Sequence, residues 1–531
     1  MRQRIVPWFS YALFLSLGLA NFAAAQSAQL GRSDFPTSGS ADAQQHFIRG
    51  VLLLHSFEYG DAAEAFREAQ SKQPDFAMAY WGEAMTYNHP VWQQQDSEAA
   101  RAVLKRLAPT AEARLAKAPT EREKDYLRAL EVLYGDGEKQ ARDDAYAEAM
   151  RRLHEKYPDD PEAATFYALA LLGTAHEGRD VPTYMRAAAL AEEVFRDYPE
   201  HPGAVHYLIH SYDDPVHAPL GLRAAHAYSR IAPAASHAQH MTSHIFVALG
   251  MWDEVVAANE TSWQVAAERV KRKGLSVDAH NFHALRWLAY GYVQQGRYEA
   301  ARELLGKMRD YSASSGSPRS RTYIAQIRSD YVVNTGRWDD KAVGIEIDVS
   351  GLGPATASNH LFAEGLAALQ RGDRVAAEAI LVRLAELGSL ERSAADAYPP
   401  DLQAARIIEK ELGALIALED GKAELALAQI EQATDSESDM PFEFGPPFIV
   451  KPSHELKGEI LLALGRAAEA QSAFEVALTR TPRRTAALLG LARAAERAGD
   501  RETAQETYAM LRAIWQRADA ALPELREVAS R

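Results

Sequence analysis

The chain contains no cysteine in 531 residues. That excludes disulfides, thiolate metal ligands and cysteine nucleophiles, so packing alone must hold the fold. It also lacks a basic surplus. The formal net charge is -15, which leaves nothing to neutralise a phosphate backbone and argues against nucleic acid as a partner. Beyond the N-terminus no segment approaches ~20 uninterrupted apolar residues, so no membrane span is expected. No GxSxG elbow, GxGxxG loop or GxxxxGK[ST] loop occurs, so the sequence offers no ready nucleophile or nucleotide cradle.

What is present starts with a leader-like N-terminus. Arg2 and Arg4 precede the apolar run WFSYALFLSLGLANF, and Ala23 and Ala25 form a small-x-small pattern. This predicts a signal peptide over 1–25, cleaved near Ala25, and a periplasmic or secreted mature chain. Residues 26–44 are polar and read as a flexible lead-in.

The remainder reads as helix after helix, rich in Ala, Leu, Glu, Arg and Gln, with Gly or Pro between segments. The helices pair. Phe47, Leu53, Leu54 and Phe57 give one helix its apolar face, and Ala62, Ala65, Phe66 and Ala69 give the next. At the other end a fixed period appears. Gly465 maps to Gly499, Ala470 to Ala504 and Phe474 to Tyr508, each 34 residues apart. The same turn-and-aromatic signature recurs in GMWDEVVAAN at 250–259, GRYEAARELL at 296–305 and GRWDDKAV at 336–343, and GDRVAAEAI follows Arg371. This pattern resembles the tetratricopeptide repeat family. The resemblance implies an all-α, right-handed solenoid of antiparallel helix pairs whose first helices line a concave wall, a scaffold rather than a chemistry. The expected organisation is an N-terminal array at 45–309, a loop or hinge between two halves at 310–322 (DYSASSGSPRSRT), middle repeats at 323–433, an ordered Pro/Phe-rich loop at 434–453, C-terminal repeats at 454–520 and a tail at 521–531.

The histidines carry the functional signal. Ten of the 17 lie between 201 and 283. His206 and His210 are four apart, as are His240 and His244, and each member of the first pair precedes its counterpart by 34 residues. Residues four apart share one helix face, so the two pairs occupy equivalent positions in adjacent repeats. His280 and His283 follow on the next helix. Asp213 lies three residues after His210 and can act as ligand or base. Imidazole suits zinc, iron, copper and nickel; three neutral histidines and a carboxylate make a plausible ligand shell with one position open. The arrangement is not HExxH, because position 207 is Tyr and position 241 is Met. Two blander readings stand beside this one. Duplicated repeats inherit matched packing histidines, and a polar site needs no metal.

His237 reads as a supporting residue, and Glu83, His89, Arg286, His454 and Glu455 as possible pocket or supporting residues. The stretches HPGAVHYLIHSYDDP and IAPAASHAQHMTSHIFVALGMWDE look like a histidine-bearing group of bacterial secreted or periplasmic repeat proteins, a resemblance that implies a common site without naming its reaction. Two functions follow. One is a periplasmic metalloprotein, extending to an enzyme that uses metal-activated water or oxygen on a small molecule or peptide; zinc or iron leads, and copper fits less well. The other is an adaptor that binds a peptide or protein partner in its groove, with the histidines as polar or pH-responsive contacts.

Overall fold

A computed structural model describes residues 29–390 and 399–531. The expected signal peptide at 1–25 lies outside the described residues. The described chain is built of α-helices, with one two-residue hairpin pairing Asn88–His89 with Gln94–Gln95. It forms two compact units. The first comprises residues up to 176, 181–211 and 223–239; the second comprises 177–180, 212–222 and 240 onward.

In both units helices pair through the same joint. In the first, Phe66 on helix Tyr59–Lys72 inserts between Gly50 and Gly82 of the flanking helices Ala41–His55 and Ala77–Met85. In the second, Phe474 on helix Ala467–Arg480 inserts between Gly458 and Gly490 of helices Ser453–Ala463 and Thr485–Ala498. The spacing is 16 residues on each side in both cases. The glycines are needed because a Cβ on Gly82 would lie 2.2 Å from the Phe66 ring, and one on Gly490 would lie 2.3 Å from the Phe474 ring. Replacing Gly82 with Ala therefore overpacks a buried aromatic. The expected loss is roughly 1–3 kcal/mol, read as a lower denaturant midpoint with unchanged slope. Turns between paired helices use glycine in the left-handed region, for example Gly465 at φ 77° and Gly499 at φ 87°, where other residues pay a steric penalty.

Several sequence expectations change. Residues 310–322 are not a loop or hinge. Helix Tyr298–Ser315 runs through the serines and ends at Gly316, and helix Pro318–Thr335 starts at once, with Ser317 as its N-cap and proline in its first turn. Capping chemistry at both ends makes this a tight helix–helix turn. The GRWDDKAV copy yields only a short 3-10 turn, Lys341–Gly344. There the buried Arg328 guanidinium bonds the carbonyls of Ala342 (3.0 Å) and Val343 (2.6 Å) in place of a helical ladder. The segment read as flexible at 26–44 is packed from Leu30 onward: Phe35 is buried against Phe47, Trp81 and Tyr126. The tail carries helix Glu524–Ser530, tied back by Arg493–Glu527.

Candidate metal centre

In the second unit, His240 and His244 lie on helix Ser236–Ala248, and His283 lies in the first turn of helix Phe282–Gln294. His240 and His244 are fully buried and His283 is half-buried. One ring nitrogen from each lies within 4.8 Å of the others. The outer nitrogens are held by neighbours. His240 Nδ1 lies 2.7 Å from Asn259 Oδ1. Asn259 uses its Nδ2 to donate to Val255 O, so its Oδ1 must accept and His240 Nδ1 carries the proton. His244 Nδ1 faces Asp213 Oδ2. The inner nitrogens, His240 Nε2 and His244 Nε2, are then 3.0 Å apart.

That contact has two solutions. If Asp213 is ionised, His244 Nδ1–H donates to it, and both Nε2 atoms present lone pairs to one another. A shared cation resolves the repulsion. If Asp213 is protonated, its O–H donates to His244 Nδ1, and His244 Nε2–H donates to His240 Nε2. A chain of hydrogen bonds then runs from Asp213 to Asn259. Without an ion the second state is favoured. Burial pushes Asp213 up to about 8 against the opposing charge of Arg179, with Asp214 adding to the rise. Burial alone pushes His244 down to about 3, and burial followed by the charge of His244 holds His240 well below the usual imidazole range. The imidazoles are neutral donors in either state.

Aromatic rings close the site. Trp287 stacks on His244 at 4.3 Å and meets His240 edge-on at 4.8 Å. Phe444, from the Pro/Phe-rich loop, lies 5.2 Å from the His244 ring. Gly445 beside it has φ 95°, and a Cβ there would be 2.3 Å from Trp287, so only glycine lets the loop come this close. The first residues of the expected 434–453 loop belong instead to helix Ala423–Ser438. The rest is anchored by Asn359, which bonds Phe448 O and Val450 N. A pocket opens alongside, lined by Asp213, Trp252, Tyr290, Phe444 and Arg480 among others. Asp213 and Phe444 thus touch both the pocket and His244.

The first unit holds a second trio. His206 and His210 lie on helix Pro202–Ser211, and His237 lies at the start of helix Ser236–Ala248; ring nitrogens from the three again fall within 4.8 Å of one another. His206 Nδ1 donates to His55 O at 2.6 Å. A carbonyl can only accept, so the lone pair of neutral His206 is on Nε2. Phe57 covers the trio, with ring centroids 4.2 Å from His206, 5.5 Å from His237 and 5.9 Å from His210. Phe57 sits at φ 53°, a region that bulky residues rarely enter and that costs of order 1–3 kcal/mol.

A third cluster shows what a structural histidine group looks like. His55 Nε2 and His201 Nε2 bond opposite oxygens of Glu162 at 2.7 and 3.1 Å, while Tyr207 OH donates to His55 Nδ1 and Ala204 N to His201 Nδ1. Burial opposes the Glu162 charge, but His55 and His201 outweigh it and hold the carboxyl well below its usual range. Every ring nitrogen is used in a hydrogen bond, so this group builds the core and fixes the carbonyl that orients His206. Sequence reasoning missed it, because the residues come from three distant helices with no shared spacing. Glu162→Gln presents one acceptor and one donor to two N–H donors. It should cost about 1–3 kcal/mol, seen in thermal melts, and leave bound metal unchanged.

The other expected site residues fall elsewhere. His280, grouped by spacing with the ligands, does not join them. It ends the 3-10 turn Val277–Ala279, bonds Val277 O through Nδ1 at 2.8 Å, and stacks between Trp263 and Tyr311. His280 stands before the N-cap Asn281, so it is off the helical register that His283 keeps. His237, read as supporting, stands in a trio. Glu83 is a buried counter-ion for Arg67 and Arg106. His89 stacks on Tyr59 at 3.9 Å and bonds Thr86 O. Arg286 pairs with Asp330. Glu455 is locked between Arg484 and Lys451, and His454 reaches Ser438 at 3.3 Å. Arg286 lies near enough for its charge to help lower the His283 imidazole after burial, His240 and His244; among the described residues none of the others joins a histidine trio of its own unit.

No family model matches the chain, and no curated protein matches it in sequence. Among solved structures it is similar to the tetratricopeptide repeat domain of P58(IPK), at 14% identity over 87% of this chain and 99% of that one, with a TM-score of 0.24. It is also similar to human IFIT1 solved as a dimer with m7Gppp-AAAA, at 15% identity over 94% of each chain and a TM-score of 0.36. The Cut9–Hcn1 hetero-tetramer of APC/C gives 11% identity over 98% of this chain and 81% of that one, with a TM-score of 0.35. Likeness this distant speaks to fold alone, and the superpositions are loose. The class rests on the chain's own joints and turns: an all-α protein of tetratricopeptide-type helical repeats. Among the described residues no helix is long and apolar enough to cross a membrane.

Proposed function

We propose that this chain is a periplasmic transition-metal protein whose ion is held by His240, His244 and His283. Asp213 and Asn259 orient the first two ligands, and zinc or iron is the resident metal. The observation that carries the reading is the 3.0 Å approach of His240 Nε2 to His244 Nε2 between rings whose Nδ1 atoms are held by oxygens of Asn259 and Asp213. Two nitrogens bound to one tetrahedral zinc at about 2.0–2.1 Å lie roughly 3.3 Å apart, close to this spacing. A carboxylate behind a ligating imidazole is the usual way a protein fixes the tautomer and raises ligand basicity. An ion at this position supplies Lewis acidity toward water or a substrate oxygen. The chain's own part is to hold three neutral nitrogens, to place the Asp213 carboxylate where it can store a proton, and to exclude bulk water with Trp287 and Phe444.

The test is elemental analysis of protein purified without an affinity tag, before and after chelation and reconstitution. One ion per chain that depends on His240 and His244 supports the reading. Protein that holds no metal after reconstitution, and melts identically with and without chelator, overturns it. That outcome would leave the Asp213–His244–His240–Asn259 chain as a polar core of an adaptor for peptide or protein partners.

A further inference from the structure

We infer that the first unit carries a further transition-metal site, formed by His206, His210 and His237. This goes beyond the reading above and does not depend on it. Three observations converge. Ring nitrogens of the trio lie within 4.8 Å of one another, with His206 and His210 stacked at helical spacing (ring centroids 4.9 Å apart) and His237 brought to His206 at 5.1 Å. The His55 carbonyl takes the Nδ1 proton of His206 and so turns a lone pair at Nε2 toward the other rings. The turn that supplies this carbonyl is built around the trio. Within four residues it gives His55 O to His206, the Phe57 ring to all three histidines, and the Glu58 carboxylate to the His237 backbone N–H at 3.0 Å.

Phe57 takes the left-handed position that ends helix Ala41–His55, with Phe57 N bonded to Leu54 O and Glu58 N to Leu53 O, and its ring lies over the imidazoles from there. The contrast lies in the same unit. At His55, Glu162 and His201 the nitrogens point at a carboxylate and at hydrogen-bond donors, as a packing cluster requires. At His206, His210 and His237 one nitrogen of each ring lies within 4.8 Å of the other two, and no carboxylate belongs to the group. Three neutral imidazoles suit a borderline first-row divalent ion, zinc before others. His206 is backed by a carbonyl here, where His244 in the other unit is backed by a carboxylate.

The experiment uses the full tag-free chain, stripped with chelator, titrated with zinc and measured by elemental analysis after desalting. Wild type should hold two ions per chain. His206→Ala/His210→Ala and His240→Ala/His244→Ala should each hold one. His237→Ala, a milder change at a half-buried helix start, should weaken one of the two sites at least tenfold; far-UV circular dichroism checks each variant's fold. If wild type holds one ion that survives in the 206/210 variant and is lost in the 240/244 variant, this inference is overturned and the proposed function stands. The reverse pattern overturns the proposed function and keeps this inference. If the 206/210 variant does not fold, unchanged zinc titration in His237→Ala overturns the inference.

Discussion

His240→Ala/His244→Ala should lower bound metal by one ion per chain and remove the part of the melting shift that chelation causes at that site. Two of three ligands are lost, and altering an outer-shell partner alone typically costs 10–100-fold in affinity, so zinc binding at this site should weaken by far more than 100-fold. The comparison with and without chelator matters because both histidines are buried and the substitution also removes packing. Packing loss lowers the melting temperature equally in both conditions. Metal loss abolishes only the difference between them. An ion present at 100 times its dissociation constant adds about 2.7 kcal/mol to stability, which calorimetry resolves easily. A variant that melts lower but keeps the full chelator-sensitive increment would show that His240 and His244 are core residues.

The fold class was legible because its signals are local. The glycine turns, the 34-residue period at 465–499 and the aromatic plug at Phe474 each follow from one helix pair burying its face on the next. The histidine-bearing helices were legible for the same reason: His206 to His240 and His210 to His244 is a repeat register. What the sequence could not show is how nitrogens group in space. The register suggested one wall of six, whereas the ring nitrogens form several close groups, among them His206–His210–His237 and His240–His244–His283, each within one compact unit. His237 enters through the side of its helix facing Phe57, and His280 drops out because it ends a 3-10 turn just before Asn281 caps the helix. Asp213 was found by its three-residue spacing from His210, yet its bond is to His244, 31 residues later. Phe444 and Gly445 were visible only as part of a loop with too many aromatics for a linker. Their place against His244 and Trp287 depends on Asn359 holding the far end of that loop, which no local pattern records. The serine-rich stretch at 310–322 misled because composition was read ahead of capping: Ser317 followed by Pro318 is a helix start.

Zinc uptake at the second-unit site should release one proton from the Asp213–His244 pair and should tighten with pH up to about 8. The sign follows from the hydrogen bonds. Without an ion the pair holds one proton beyond what the ligating state allows, as Asp213 O–H and His244 Nε2–H. Ligation needs both Nε2 lone pairs, so the Nε2 proton must leave and Asp213 must become a carboxylate. Burial holds Asp213 at about 8. Below that pH each ion displaces a proton, and apparent affinity falls about tenfold per pH unit, or about 1.4 kcal/mol. Above it the carboxylate is already formed and affinity levels off. The metal-free protein behaves in the opposite sense. A raised carboxyl pKa contributes stability that is fully present below the unfolded value and is lost as pH climbs toward 8. The melting increment given by zinc should therefore widen from pH 6 to pH 8 and then stay constant. Calorimetric titration in two buffers of different ionisation enthalpy counts the proton directly. Asp213→Asn supplies the control, since its amide oxygen can still accept from His244 Nδ1–H but cannot titrate. That variant should bind zinc some 10–100-fold more weakly at pH 8, with this pH slope gone. If it keeps the wild-type slope, Asp213 is not the group that yields the proton.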